Sequence, residues 1–184
     1  MTRRVEVHVP SVSLAGHMSL YSFQLAEAGD GFRIKIEPAR YLSDDFKESL
    51  LISKRVAEKL TGRPFERDVI MKMEEPSMNG SSGSLMRTLA LMSLLTGVSL
   101  NQRVTGSGGV DTEGRVLPVL RLEEKARAAK NAGFTSFLLA KGQTVDRMNG
   151  ITFYFVDDIA EAWRLASGIC INCVNGRHNG SGSY

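Results

Sequence analysis

The sequence is poor in the residues that mark several large functional classes. Two cysteines, Cys170 and Cys173, in 184 residues exclude a scaffold built on disulfides. Histidine occurs three times, at His8, His17 and His178, all in the N-terminal segment or the C-terminal one, so a Ser-His-Asp triad is starved of its base. An excess of one charge is also missing. Against 20 acidic residues stand 23 basic ones, spread rather than clustered, and the net +3 argues against a nucleic-acid partner. The longest apolar stretch, Leu89 to Leu95, is broken by Ser93 and falls far short of the roughly 20 residues of a membrane helix. Glu6 and His8 interrupt what would be a signal-peptide core after Arg3 and Arg4. The chain also lacks internal repeats. What remains is a soluble, cytoplasmic protein without membrane partners, long enough at roughly 150 residues per domain for one domain with a full core.

Strands and helices alternate along the chain. Val5, Val7 and Val9 alternate with polar residues, as do Phe32, Ile34 and Ile36, which predicts two strands around the turn Ala28-Gly29-Asp30-Gly31. Ser43 to Asp45 offer caps for a helix carrying Phe46, Leu50, Ala57 and Leu60, stopped by Gly62 and Pro64. Val69 to Met73 is a short strand. The loop Asn79-Gly80-Ser81-Ser82-Gly83-Ser84 opens into a helix, Leu85 to Leu95, in which only Arg87 is charged, so it is expected to be buried nearly all round. Thr105 to Gly109 is a polar, glycine-rich stretch. Beyond it come a strand at Val116 to Val119, a helix from Leu122 to Ala132, strands at Phe137 to Ala140 and Ile151 to Val156, and a helix carrying Ile159, Ala162, Trp163 and Ala166. An α/β (α+β) domain over residues 1–168 is expected, with a polar, mobile tail over 169–184. The tail holds Cys170-Ile-Asn-Cys173; one such pair with no second predicts free thiols or a local disulfide rather than a metal site. The methionines around the loop, such as Met71, Met73 and Met86, are expected to fill core.

Two places invite chemistry. Ser81, Ser82 and Ser84 sit at the N-terminus of a buried helix, where unpaired N–H groups gather; such a loop caps the helix, binds an anion or builds an oxyanion hole. On a helical wheel Lys125 falls on the apolar arc of Leu122, Ala126, Ala128, Ala129 and Ala132, opposite Glu123, Glu124, Arg127 and Lys130. An ammonium there must find a partner, snorkel out or lose its proton, and its place in the first turn favours the neutral amine. A neutral lysine can activate a serine hydroxyl.

The residues Asn79-Gly80-Ser81-Ser82-Gly83-Ser84, Leu94-Leu95-Thr96-Gly97, Gly114-Arg115-Val116-Leu117-Pro118, Leu122-Glu123-Glu124-Lys125 and Ala128-Ala129…Ala132-Gly133 resemble, in register and without a gap, the proteolytic domain of Lon protease. The resemblance implies a mixed sheet with packed helices, a fold of the ribosomal protein S5 domain 2-like kind. It also implies a serine endopeptidase with Ser82 as nucleophile and Lys125, 43 residues on, as base. Ser107 stands where the family has a threonine that supports the lysine, and the Gly80, Ser81 and Gly83 backbone would hold the oxyanion. No cofactor and no metal are implied. The implied partners are a peptide or unfolded protein substrate, a separate ATPase, and further copies of the chain, commonly in a hexameric ring. Departures surround the dyad: Ser81, Gly83 and Ser84 replace Pro, Ala and Gly, Leu120-Arg121 replaces Gly-Gly, and Gly109 replaces a Glu. The family's ATPase motor needs a phosphate-binding G-x-x-x-x-G-K-[ST] loop, and Gly109 to Val116 has the glycine spacing without the lysine or hydroxyl. The chain is therefore expected to be a stand-alone peptidase or an excised domain that cannot unfold substrates itself. The alternative is a weak or inactive module serving in oligomerisation or in partner or peptide binding.

Overall fold

The computed structural model describes residues 3–11, 16–75, 77–78 and 80–175. The N-terminal half builds a four-stranded sheet in the order β1-β2-β5-β3. β1 (Arg4–Ser11) pairs antiparallel with β2 (His17–Leu25), and β2 with β5 (Val69–Met73), while β3 (Ile34–Glu37) runs parallel to β5. Val5, Val7 and Val9 turn inward as their alternation predicts. β2 carries a less legible pattern, because Ser19 and Ser22 are buried beside Tyr21 and Phe23. β3 starts later than expected, and Phe32 is 75% exposed. A short parallel pair joins β4 (Tyr41–Leu42) to β6 (Ser77–Met78).

Two helices pack together, and the second lies against this sheet. α1 (Asp44–Thr61) starts at Ser43, whose hydroxyl accepts the Phe46 N–H at 3.2 Å, and ends at Gly62 in the left-handed region. α2 (Ser84–Thr96) packs on α1 and is buried along nearly its whole length, as expected from its single charge.

The C-terminal half adds a parallel three-stranded sheet, β11-β10-β7. β7 (Val104–Ser107), β10 (Ser136–Ala140) and β11 (Thr152–Val156) are joined by α3 (Leu122–Asn131) and a long loop. Strand β10 is buried on both faces. Leu138 and Ala140 enter the main core, and Phe137 and Leu139 enter a second cluster with Leu122, Ala126 and Ala129 of α3. An antiparallel ribbon of β8 (Gly109–Val110) and β9 (Val116–Leu117) lies near α1. The polar stretch Thr105 to Gly109 thus lies in β7 and the start of β8, with Gly108 between them. Its glycines serve close packing: a Cβ at Gly106 would stand 2.4 Å from the Leu138 carbonyl oxygen.

α4 (Ile159–Ser167) is capped by Asp158 and buries Trp163. The segment expected as a tail opens with a short helix, α5 (Ile171–Asn175), whose Ile171 and Val174 reach the main core; residues 176–184 lie outside the described residues. The expected α/β class, a mixed architecture with packed helices, is the observed one.

Candidate active site

The serine loop is stitched to the C-terminal half by its backbone. The Ser82 carbonyl accepts the Gly108 N–H at 2.9 Å, and the Gly108 carbonyl accepts the Leu85 N–H at 3.0 Å. Within the loop, the Ser84 N–H donates to the Ser81 carbonyl at 3.0 Å and Gly80 takes φ +74°, a turn that glycine makes without strain. Ser82 is half-buried and Ser81 exposed. Among the described residues the N–H groups of Ser82 and Gly83 have no internal acceptor, and of the two residues Ser82 is the more exposed. Asn79, the first residue of the motif, lies outside the described residues.

Lys125 occupies the first turn of α3 on the face packed toward β1, β2 and β7. It is 5% exposed and makes no side-chain hydrogen bond or ion pair among the described residues. Burial first, and then the nearby Arg121 charge, push its ammonium below the usual 10.5. The two glutamates beside it are otherwise engaged: Glu124 pairs with Arg121 at 2.6 Å, and Glu123 accepts the Asp146 N–H at 3.3 Å. The wheel's placement of Lys125 on the buried face of its helix is therefore the observed one.

Ser107 is fully buried, and its hydroxyl donates to the Ser82 carbonyl at 3.4 Å. It makes no hydrogen bond to Lys125. Nor are Ser82 Oγ and Lys125 Nζ joined by one: Ser107 reaches the serine loop at the Ser82 carbonyl, and Lys125 stands unbonded on α3. Gly109, where the resemblance has Glu, faces the loop: a Cβ there would lie 3.7 Å from Ser81 Oγ and 3.3 Å from Leu117 Cβ. Beside Ser81 a groove of about 340 Å³ opens between α1 and the β8–β9 ribbon, with Ile52, Val110 and Leu117 in its walls and Asp45 and Glu48 along α1.

A model of the Lon protease (S16) C-terminal proteolytic domain matches residues 51–161, more than half of the chain and all of the groups just described from Gly80 to Lys125. The chain belongs to this family. Lon protease of Brevibacillus choshinensis is 34% identical over 95 residues, which cover 48% of this chain and 12% of that protein. Lon protease of Fervidobacterium nodosum is 28% identical over 139 residues, 68% of this chain and 17% of its own length. Lon protease 2 of Bdellovibrio bacteriovorus is 39% identical over 61 residues, 33% and 8% of the two chains. The chain thus spans less than a fifth of these relatives.

Other candidate groups stand apart from this Lon-like site. Cys170 and Cys173 are exposed free thiols, and backbone N–H donors of Asn172 and Cys173 hold the Cys170 thiol below its usual range. No cluster of metal-ligating side chains occurs among the described residues. The ring of His8 packs near Phe134 at 5.6 Å, and His17 faces Glu75 at 3.7 Å. No helix among the described residues is long and apolar enough to cross a membrane. One polar group escaped sequence reasoning. Arg87, visible in the sequence as the lone charge of an apolar helix, lies directly behind the serine loop.

Proposed function

We propose that the chain is a serine endopeptidase in which Ser82 Oγ attacks the scissile carbonyl and Lys125 acts as general base. The observation that carries this reading is Lys125 itself, a lysine 5% exposed, without a partner, whose proton is loosened by desolvation. As the Oγ–C bond forms, the serine proton passes to Lys125 Nζ. The C–N bond then breaks and Lys125 returns that proton to the leaving amine. Water then attacks the acyl-enzyme and gives its proton to Lys125, which passes it to Ser82 Oγ as the Oγ–C bond breaks and the acid leaves. The free N–H groups of Ser82 and Gly83, at the positive end of α2, stabilise the oxyanion; one such donor is typically worth about 10²–10³ in rate. Ser107 keeps its lone pairs for Lys125 when the two approach. Dyads of this kind tighten on substrate binding, so an open apo geometry is compatible with the role. The peptide lies extended in the groove between α1 and the β8–β9 ribbon, bound through main-chain hydrogen bonds. Substrates are peptides and unfolded proteins in the cytoplasm, with no metal or cofactor, and the chain acts as a homo-oligomer, in a ring of six or beside a separate ATPase.

The test is covalent. A fluorophosphonate or peptide boronate should label the wild type and neither Ser82→Ala nor Lys125→Ala. Equal labelling of Lys125→Ala would remove the lysine from the mechanism. The absence of a Ser82–Lys125 hydrogen bond favours a second reading, a module for oligomerisation or peptide binding, which predicts no labelling of any variant.

A further inference from the structure

Arg87 is buried to 1% exposure one turn into α2, and no carboxylate pairs with it among the described residues. Its guanidinium is met by neutral groups alone. It donates to Ser49 Oγ at 3.1 Å and to Ser84 Oγ at 3.3 Å, lies 4.5 Å from the Phe46 ring centroid, and shares a hydrogen bond with Tyr21. Tyr21 is no counter-ion, because burial pushes its hydroxyl up to about 12. Burial also pulls Arg87 down, to about 10, which leaves it charged at neutral pH. An unpaired buried cation is expensive, and an apolar residue of similar length would fill the same space without that cost.

What the charge touches gives it a use. Gly83 has φ −85° and ψ −1°, a conformation open to any residue, so its lack of a side chain answers a need for space. A Cβ there would stand 2.5 Å from an Arg87 Nη and 3.2 Å from Val9 Cγ1. Arginine tips often swing aside, but this one is held by two hydroxyls and an aromatic face. The two departures that follow Ser82 thus become one arrangement: glycine in place of Ala at 83 makes room for the guanidinium, and serine in place of Gly at 84 accepts its hydrogen bond.

We infer that Arg87 is a positioning residue of the nucleophile loop, its guanidinium fixing Gly83 and Ser84 from behind and thereby the direction of Ser82 and of the Gly83 N–H. The inference rests on Ser82 being the nucleophile. The cation also stands at the N-terminal end of α2, where it adds to the field that favours negative charge at the loop.

Four proteins test it: wild type, Gly83→Ala, Arg87→Met and the double variant. Their thermal midpoints are measured, and kcat and KM on an unstructured peptide are taken per serine titrated with fluorophosphonate. Gly83→Ala should lower both the midpoint and kcat in the wild-type background, and change each much less in the Arg87→Met background, where only the Val9 contact remains. Arg87→Met should lower kcat per titrated serine by roughly tenfold or more, as displaced catalytic groups do, with KM within about twofold. A merely structural loss would reduce the number of titratable serines and leave kcat per site intact. Should Arg87→Met fail to fold, Arg87→Lys keeps the cation, loses the planar guanidinium that reaches both hydroxyls from Nη2, and should show the same drop in smaller measure. An equal cost of Gly83→Ala in both backgrounds, or an unchanged kcat per site, overturns the inference. A wild type that titrates no serine refutes the peptidase reading instead.

Discussion

At the scale of single residues, two ionisable groups make stability rise with pH in two separate windows. Lys125 has its proton affinity lowered in the fold by desolvation and by Arg121. The unfolded chain therefore holds that proton to higher pH than the folded one, and stability rises with pH between the folded value and the unfolded 10.5. Lys125→Met, which removes the buried charge, should stabilise the protein at pH 7 by about 1 kcal/mol and abolish labelling of Ser82. Its advantage over wild type should shrink as the pH nears 10, which denaturant titrations at several pH values measure. The pH–rate profile should rise with a limb set by this amine, because only the neutral form accepts a proton. Asp68 has the same sign in an acidic window, but there the charged form is the stabilising one. Burial pushes its carboxyl up, but the N–H groups of Arg33 and Gly31 and the Lys35 ammonium outweigh that and hold it below 3.8. Its contribution is present above that value and is lost as the pH falls through the folded one. Asp68→Asn should therefore destabilise the protein at pH 6 and flatten the acid limb of its stability curve.

At the scale of elements, the glycine-rich stretch after Arg103 decides more than its composition suggests. Gly106→Ala drives a methyl into the Leu138 carbonyl oxygen and Leu85 Cδ2 at 2.8 Å. It should cost about 3 kcal/mol, separating β7 from β10 and loosening the serine loop with them; the urea midpoint and the labelling rate should fall together. Helices with an apolar stripe and a cap, such as α1 and α4, were legible because periodicity and caps are local signals. β7 and β8 were not: glycine reads as turn in a sequence, and only the approach of Leu138, Leu85 and Val116 turns it into strand. β2 was hidden by buried serines that break alternation, and α5 by polar neighbours. Within the site, Lys125 could be placed because helical phase alone makes it dry. The bond from Ser107 to the Ser82 carbonyl, and Arg87 behind Gly83, depend on contacts between residues far apart in the chain, which no local pattern encodes.

At the scale of the whole molecule, the proposed catalytic groups are drawn from both halves: the loop belongs to α2 in the first, the lysine and its neighbouring β7 to the second. The 184 residues contain no phosphate-binding loop, so hydrolysis of unstructured peptides should be indifferent to ATP, and a folded protein should survive incubation that degrades its denatured form. Gel-based turnover of one substrate in both states, with and without nucleotide, checks this; stimulation by ATP of the chain alone would contradict it.

The backbone ties between Ser82, Gly108 and Leu85 carry one more consequence. Because the serine loop is fastened to a segment synthesised later than itself, a nascent or frayed chain whose second sheet has not closed has no organised loop. On the proposed peptidase reading, cutting power would arrive only with the last stage of maturation, which would spare unfinished polypeptides nearby.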